Sequence, residues 1–205
     1  MTLQRDKQKL VILDICFGLG YNTLATLYNI KENDLTTQVE ILSPEFDDSL
    51  VRSLERFEYP QEFAFLRPII RALSQNFYYR DQQFSIEILR GDARLSIPAI
   101  EQTIDIVYQD PFSPKHNPLL WTREYFADIR QIVAEDAVLT TYSIAASVRL
   151  ALYENGFNVF LYEPQMARRS TVASPLMLEE LTYIDMELKK ERNPTARSLR
   201  DVGYL

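Results

Sequence analysis

Short apolar runs rich in β-branched residues recur along the chain, separated by stretches whose apolar residues fall three and four apart. LVILDI (10–15), QVEILS (38–43), FSIEIL (84–89), TIDIVYQ (103–109), AVLTTY (137–142) and FNVFLY (157–162) read as strands. Helical spacing falls at 21–31, 46–58, 61–80, 122–134 and 143–155. Pro68 predicts a kink or break in the third of these, because proline lacks an amide donor and clashes with the preceding turn. Regular alternation of such strands and helices is the pattern of a parallel sheet covered on both faces. The expected fold is therefore α/β, a Rossmann-like, mostly parallel doubly wound sheet with helices on both faces. Asn155-Gly156 ends the fifth helix as a left-handed cap would and feeds directly into the sixth strand. No internal repeat or low-complexity linker interrupts the pattern, which predicts one domain over 1–175 and a helical, partly mobile extension of it over 176–205.

Composition narrows the setting. A chain of 205 residues with 46% hydrophobic content suits one self-sufficient core. The single cysteine, Cys16, excludes an internal disulfide framework, and no apolar run approaches the roughly 20 residues that span a bilayer. The polar opening, TLQRDKQK, does not read as a signal peptide, so the expected location is the cytoplasm, away from membranes. One histidine and one cysteine leave no set of ligands for a metal site. The net charge of −7 weighs against broad non-specific binding to nucleic acid, but it is unevenly spread: residues 164–205 carry +1 and the rest −8. Local binding of a structured RNA fits that distribution, and so does a solvated mixed-charge helix.

Candidate chemistry gathers at strand ends, where open α/β sheets place their ligands. The first strand runs into DICFGLGYNT (14–23), in which Gly18 and Gly20 let a ligand approach backbone that a Cβ would block. A dinucleotide fingerprint would want glycine at the positions of Cys16 and Thr23, so NAD is disfavoured. Glu45, past the second strand, suits the two hydroxyls of a ribose, or serves simply as a carboxylate at a helix N-terminus. Asp92, in the Gly-Asp-Ala after the third strand, suits an exocyclic amine of a base, or an ordinary N-cap. Asp110 follows the fourth strand and opens DPFSPKHNPLLW (110–121), the most informative stretch of the chain.

Taken in order, the Gly-x-Gly turn, Glu45, Asp92 and Asp110 resemble the class I S-adenosylmethionine-dependent methyltransferases. Asp110, Phe112, Pro114, Asn117, Pro118 and Trp121 narrow the resemblance to the MnmC-type tRNA methyltransferases, which complete the methylaminomethyl group of wobble uridine. FGLGYN (17–22), TYSIAASVRLALYENGF (141–157) and the closing RRSTVAS are similar to further segments of that family, and the match covers most of residues 10–175. The resemblance implies methyl transfer from S-adenosylmethionine to the amine of 5-aminomethyl-(2-thio)uridine in the tRNA anticodon loop. It implies Asp110 as the catalytic residue, with Asp14, Gly18, Gly20, Asn22, Glu45 and Asp92 at the cofactor. Phe112, Pro114, Asn117, Trp121, Arg149, Arg168 and Arg169 are then the candidates at the substrate. No metal and no flavin are expected, since the flavin oxidase half fused to some members does not appear in this chain, and a separate enzyme is implied to supply the aminomethyl precursor. Two departures stand out: Cys16 replaces a usual glycine, and about nine residues precede the first strand where the family generally has several dozen.

The residues themselves leave alternatives open. Phe112 and Trp121 suit stacking on a splayed-out base, while Trp121 equally suits anchoring its loop in the core. Asn117 is expected to fix the loop by a side-chain to backbone bond, and His116 to be exposed. Tyr142 and Ser143 end the fifth strand and point by topology toward the same crevice. Methylation of another amine, an RNA adenine or a polyamine, competes with the wobble uridine, and a non-catalytic nucleoside-binding or RNA-docking relative competes with an enzyme.

Overall fold

Strands that are apolar along their length need cover on both faces, and the computed structural model, which describes residues 7–165 and 168–204, supplies it. The chain falls into two compact units, one ending at Ser96 and the other beginning at Ile97. In the first, β1 (Lys9–Ile15) buries every residue after Lys9 and is followed by α1 (Tyr21–Glu32). Then come β2 (Gln38–Glu45), α2 (Asp48–Ser53), α3 (Arg67–Asn76), β3 (Tyr78–Arg80), β4 (Phe84–Arg90) and α4 (Ala93–Ser96). The strand order is β3-β4-β2-β1, parallel except for β3, which runs antiparallel to β4. Leu24, Leu27 and Ile30 on α1, and Ile69, Ile70 and Leu73 on α3, are buried at the spacing of one helical face. Each such side chain contributes about 1.5–3 kcal/mol by leaving water.

The second unit begins with β5 (Ile104–Gln109), α5 (Arg123–Ile132), β6 (Val133–Thr141) and α6 (Ala146–Tyr153). It ends with β7 (Asn158–Tyr162), β8 (Ser170–Ser174), β9 (Thr182–Tyr183) and α7 (Met186–Arg192). The order here is β5-β6-β8-β7-β9. β5 and β6 are parallel, whereas β8 inserts antiparallel between β6 and β7.

The six strands expected from the sequence are all present, and STVAS forms β8. The helix expected over 61–80 is corrected. A 3-10 turn occupies Gln61–Leu66, and α3 begins at Arg67 with Pro68 in its first turn, where a missing amide costs nothing. Phe77 then turns left-handed (φ 61°) and releases the chain into β3. The second helix is shorter than its pattern, six residues capped by Asp47, whose carboxylate accepts from the N–H groups of Ser49 and Leu50.

The segment after β8 is stitched to its unit. Leu178 is buried with Val138, Phe160 and Val172, and β9 pairs with β7. Further on, the Arg123 N–H donates to the Leu199 carbonyl (2.8 Å), Ser198 donates to Glu154 (2.7 Å), and Arg200 pairs with Glu124 (2.5 Å). Among the described residues, no helix is long and apolar enough to cross a membrane.

The Glu124 clasp is pH-sensitive in a defined direction. Partial burial pushes its carboxyl up, but the Arg200 guanidinium and backbone N–H groups, that of Asp201 among them, outweigh it and leave Glu124 below its usual 4.5. A lowered carboxyl stabilises the folded state above the unfolded pKa and loses that contribution as pH falls through the folded one. The Asp201 amide resonance should therefore titrate with a midpoint below 4.5, and Arg200→Ala should move that midpoint upward. An unmoved midpoint would show that the guanidinium is not the cause.

Candidate functional site

The turn after β1 places Cys16 (φ 62°), Gly18 (φ 56°) and Gly20 (φ 73°) in the left-handed region within five residues. That backbone is open to glycine and strained for cysteine. The curl is held by carboxylates. Asp14, wholly buried, accepts from Asn22 Nδ2 (3.1 Å) and from Thr23 Oγ1 (2.8 Å), tying the end of β1 to the first turn of α1. Thr23, where a dinucleotide-binding turn would carry glycine, thus has a structural task. The Glu45 carboxylate, at the end of β2, accepts from the Gly18 N–H (2.8 Å) and the Asp47 N–H (2.9 Å). Tyr59 donates to the Leu19 carbonyl (2.9 Å) and closes the turn from the other side.

Asp92 is exposed beyond β4, and its Oδ1 accepts from the Arg94 N–H (2.9 Å) at the start of α4. Just before it, the Gly91 N–H donates to the Glu45 carbonyl (2.8 Å) with φ 111° at Gly91, and no atom lies within 4 Å of where a Cβ would stand. Asp14, Glu45 and Asp92 all bear on Cys16: burial first, then the charges of Glu45, Asp14 and Asp92, push its thiol up to about 12. The thiol is therefore protonated and unreactive at neutral pH, and no role as a nucleophile follows. A turn surrounded by carboxylates suits a ligand bearing hydroxyl donors and positive charge. Gly18 and Gly20 serve differently. A Cβ on Gly18 would meet only the Cys16 carbonyl, at 3.7 Å, whereas one on Gly20 would stand 2.6 Å from the Phe17 ring.

Asp110 is exposed at the end of β5, and the loop that follows is clamped from beneath. Gln109, fully buried, donates to the Leu120 carbonyl (2.7 Å) and accepts from the Tyr125 hydroxyl (2.9 Å). Trp121, also fully buried, donates from Nε1 to the Phe112 carbonyl (2.8 Å) and stands edge-on to Tyr142. The Tyr142 hydroxyl donates to the Pro111 carbonyl (2.9 Å), and burial together with the Asp110 charge pushes that phenol up. Held this way, the loop leaves the Phe112 ring 80% exposed. Pro114 is half-buried and His116 exposed, with Nδ1 at 3.0 Å from Ser113 Oγ. The expectation for Asn117 is corrected: its backbone N–H, donating to Ser113 (2.9 Å), fixes the loop, and its side-chain amide makes no hydrogen bond among the described residues. A backbone turn already satisfies the geometry the side chain was expected to impose.

Arg149 lies on α6, and its Nε donates to Thr171 Oγ1 (3.0 Å), which donates in turn to the Ser143 carbonyl (2.6 Å). Arg168 is exposed, and Arg169 pairs with Glu163. Among the described residues, no group of three His, Cys, Asp or Glu side chains could hold a metal ion. Sequence reasoning missed Gln109, Tyr125 and Tyr59 as loop fasteners. The only signal for Gln109 was an amide at the end of an otherwise apolar strand.

Comparison with known proteins agrees with this geometry. The family described as S-adenosyl-L-methionine-dependent methyltransferase matches residues 58–175, more than half of the chain. Uncharacterized protein MJ0670 of Methanocaldococcus jannaschii is 30% identical over 149 residues, covering 71% of this chain and 40% of its own length. The tRNA 5-methylaminomethyl-2-thiouridine biosynthesis bifunctional protein MnmC of Azoarcus sp. is 29% identical over 168 residues, covering 76% of this chain and 26% of its own. The chain thus spans well under half the length of either. Among solved structures, MNMC2 from Aquifex aeolicus superposes with a TM-score of 0.78 at 32% identity, over 96% of this chain and 63% of that one. Human methyltransferase-like protein 13, solved with SAH, superposes with a TM-score of 0.58 at 13% identity, covering 100% of this chain and 93% of its own, a likeness of fold alone. The fold is the Rossmann-like fold of the class I methyltransferases.

Two outcomes test the turn. Gly20→Ala should cost about 2–5 kcal/mol, from left-handed strain plus overpacking against Phe17, whereas Gly18→Ala should cost only the strain, about 1–2 kcal/mol, both read from denaturant midpoints. Equal costs would mean that the Phe17 ring moves aside freely. Cys16 in the folded chain should resist iodoacetamide at pH 8 and react readily once unfolded. Because its folded pKa is raised, its contribution to stability is present below 9.0 and is lost as pH rises from there toward about 12. Rapid alkylation of the native chain would contradict the assignment.

Proposed function

From its membership of the S-adenosyl-L-methionine-dependent methyltransferase family, to which the chain belongs, we propose that it methylates the amine of 5-aminomethyl-(2-thio)uridine at the wobble position of tRNA. The observation that carries this reading is the clamped loop, which presents the Asp110 carboxylate two residues from an exposed Phe112 ring. The likeness to a protein named for tRNA 5-methylaminomethyl-2-thiouridine biosynthesis supports it. A separate enzyme supplies the aminomethyl group, and the reaction belongs to the cytoplasm.

S-adenosylmethionine, when bound, supplies an electrophilic methyl group on a positively charged sulfur. The residues that fit it are in the first unit. Each oxygen of Glu45 has one backbone N–H partner in the structure and keeps lone-pair capacity for ribose hydroxyls. Asp92 stands ready for the exocyclic amine of the adenine, Asp14 and Asn22 hold the turn, and Gly18 and Gly20 give it its curl.

The acceptor amine must be neutral to attack. With a reference pKa near that of lysine, only about one molecule in a thousand or fewer is neutral at pH 7, a handicap of about 4 kcal/mol. Asp110 accepts a hydrogen bond from the amine, aims its lone pair and takes or relays its proton. A carboxylate also stabilises the ammonium form, so Asp110 orients the amine more effectively than it deprotonates it. Phe112 stacks on the uracil ring, as aromatic faces do on splayed-out RNA bases. Trp121, buried beneath, sets the loop that Phe112 sits on, and the unengaged amide of Asn117 offers a donor and an acceptor to the base. Arg168 and Arg169 contact phosphate and position the RNA without identifying it.

Asp110→Ala should lower kcat about 100-fold or more on tRNA lacking the final methyl group, with S-adenosylmethionine binding by calorimetry unchanged. Phe112→Ala should raise KM by roughly 5- to 150-fold, the worth of one stacked base, and Phe112→Trp should restore it. Full transfer by Asp110→Ala, or failure of the wild type to bind S-adenosylmethionine, would overturn this reading.

A further inference from the structure

A recess lies within the second unit, between α6 and α7. Its volume is about 170 Å³, and Ile144, Arg149, Ile184, Met186, Lys189 and Lys190 are among its walls, with no carboxylate residue lining it. Two independent features mark it as a site for an anion. The first is the convergence of three cations on one small space. Lys190 is shared with Glu187 (3.2 Å) and the Tyr153 ring, but Lys189 and Arg149 have no ion-pair partner among the described residues. The second is an unfinished hydrogen-bond account. Arg149 spends Nε on Thr171, while its Nη2 is buried with no acceptor, a rare condition in a folded protein that points to a missing partner. Burial also disfavours the charge of this guanidinium, so an incoming anion recovers that cost.

We propose that this recess is a phosphate-binding subsite that takes one backbone phosphodiester of the RNA substrate, with Arg149 at its base and Lys189 and Lys190 on its rim. The inference rests on the tRNA reading above and adds a specific place of contact to it. The apolar walls, Ile144, Ile184 and Met186, suit the ribose attached to a phosphodiester better than they suit a small hydrated ion. The location fits as well. Ile144 follows Tyr142 by two residues, at most about 7 Å of extended backbone, and the Tyr142 hydroxyl holds the first turn of the Asp110 loop. A phosphate here belongs to a nucleotide near the one presented to Asp110. α7 supplies both lysines, which gives the segment after β8 a task in binding.

The test uses the full chain and a fluorescent anticodon stem-loop RNA, titrated across salt concentrations. Lys189→Ala, a surface change on α7, should weaken binding about 3- to 10-fold and reduce the slope of log K against log salt by about one. Arg149→Gln, which removes the charge, should do the same, and Lys189→Ala carries the test if that variant fails to fold. Binding of S-adenosylmethionine and methylation of the free nucleoside should be unchanged in Lys189→Ala. Absence of RNA binding by the wild type would overturn both this site and the tRNA reading. Wild-type binding with an unaltered slope in the variants would overturn the site alone. Stabilisation by millimolar inorganic phosphate that is lost in Lys189→Ala, with RNA affinity unchanged, would show a free-anion pocket and overturn the assignment to RNA.

Discussion

A carboxylate cannot be left unpaired away from water, and the first unit is arranged around that constraint at Asp14. Asp14 is buried at the end of β1, where its side chain takes hydrogen bonds from Asn22 and Thr23 while Ser43 donates to its carbonyl. Those bonds fix the start of α1 against the end of β1 and bind β1 to β2. The residues between Asp14 and Asn22 must then cross a short gap in a tight curl, and only left-handed backbone at Cys16, Gly18 and Gly20 achieves it. That curl turns the Gly18 N–H toward Glu45. One unavoidable desolvation cost thereby places a second carboxylate, the one best suited to a ribose.

The loop after β5 solves a different problem with the same means. The Phe112 ring has to be held at a fixed place in solvent if it is to meet a partner there. Here Trp121 takes the Phe112 carbonyl, Tyr142 takes the Pro111 carbonyl, and Gln109 takes the Leu120 carbonyl. Each of these bonds is made to a backbone carbonyl, so the fastening does not use the Phe112 ring or the Asn117 side chain. Large buried side chains fasten the loop, and Trp121→Ala would remove about 3–5 kcal/mol of packing along with one of the fasteners. A site of this kind is preorganised because its support lies in the core and its chemistry on the surface.

How much of this the sequence disclosed depends on range. β1, β2, β4 and β5 were readable because burial on both faces imposes a continuous apolar run. That the turn glycines, Glu45, Asp92 and Asp110 fall at strand ends was readable because those strands were. Pro68 was correctly placed as a break, but not the left-handed Phe77 that ends α3, since nothing local distinguishes that phenylalanine from the buried ones. Gln109, Tyr125 and Tyr59 were invisible for a related reason: each bonds to a group 11 to 40 residues away, and no local pattern encodes such a distance. Asn117 misled because its type favours side-chain turns, whereas its own backbone N–H already made one. Cys16 could be seen to replace a glycine, and its cost became visible only as a positive φ.

The charge distribution ties these points to recognition. A chain with a net charge of −7 gains little from long-range attraction to a polyanion, and at physiological salt such attraction fades within about 8 Å. An RNA partner would therefore have to be held by short-range contacts in which cations are already desolvated and aimed. Several surface cations are already occupied by carboxylates: Arg71 with Glu55, Arg90 with Asp48, Arg130 with Glu135, Arg200 with Glu124. Arg149 differs from these, since it lies half-buried beside Lys189 in a recess with no carboxylate in its lining, and one of its nitrogens lacks an acceptor. In an acidic protein that difference separates a cation that stabilises the fold from one that can select a phosphate.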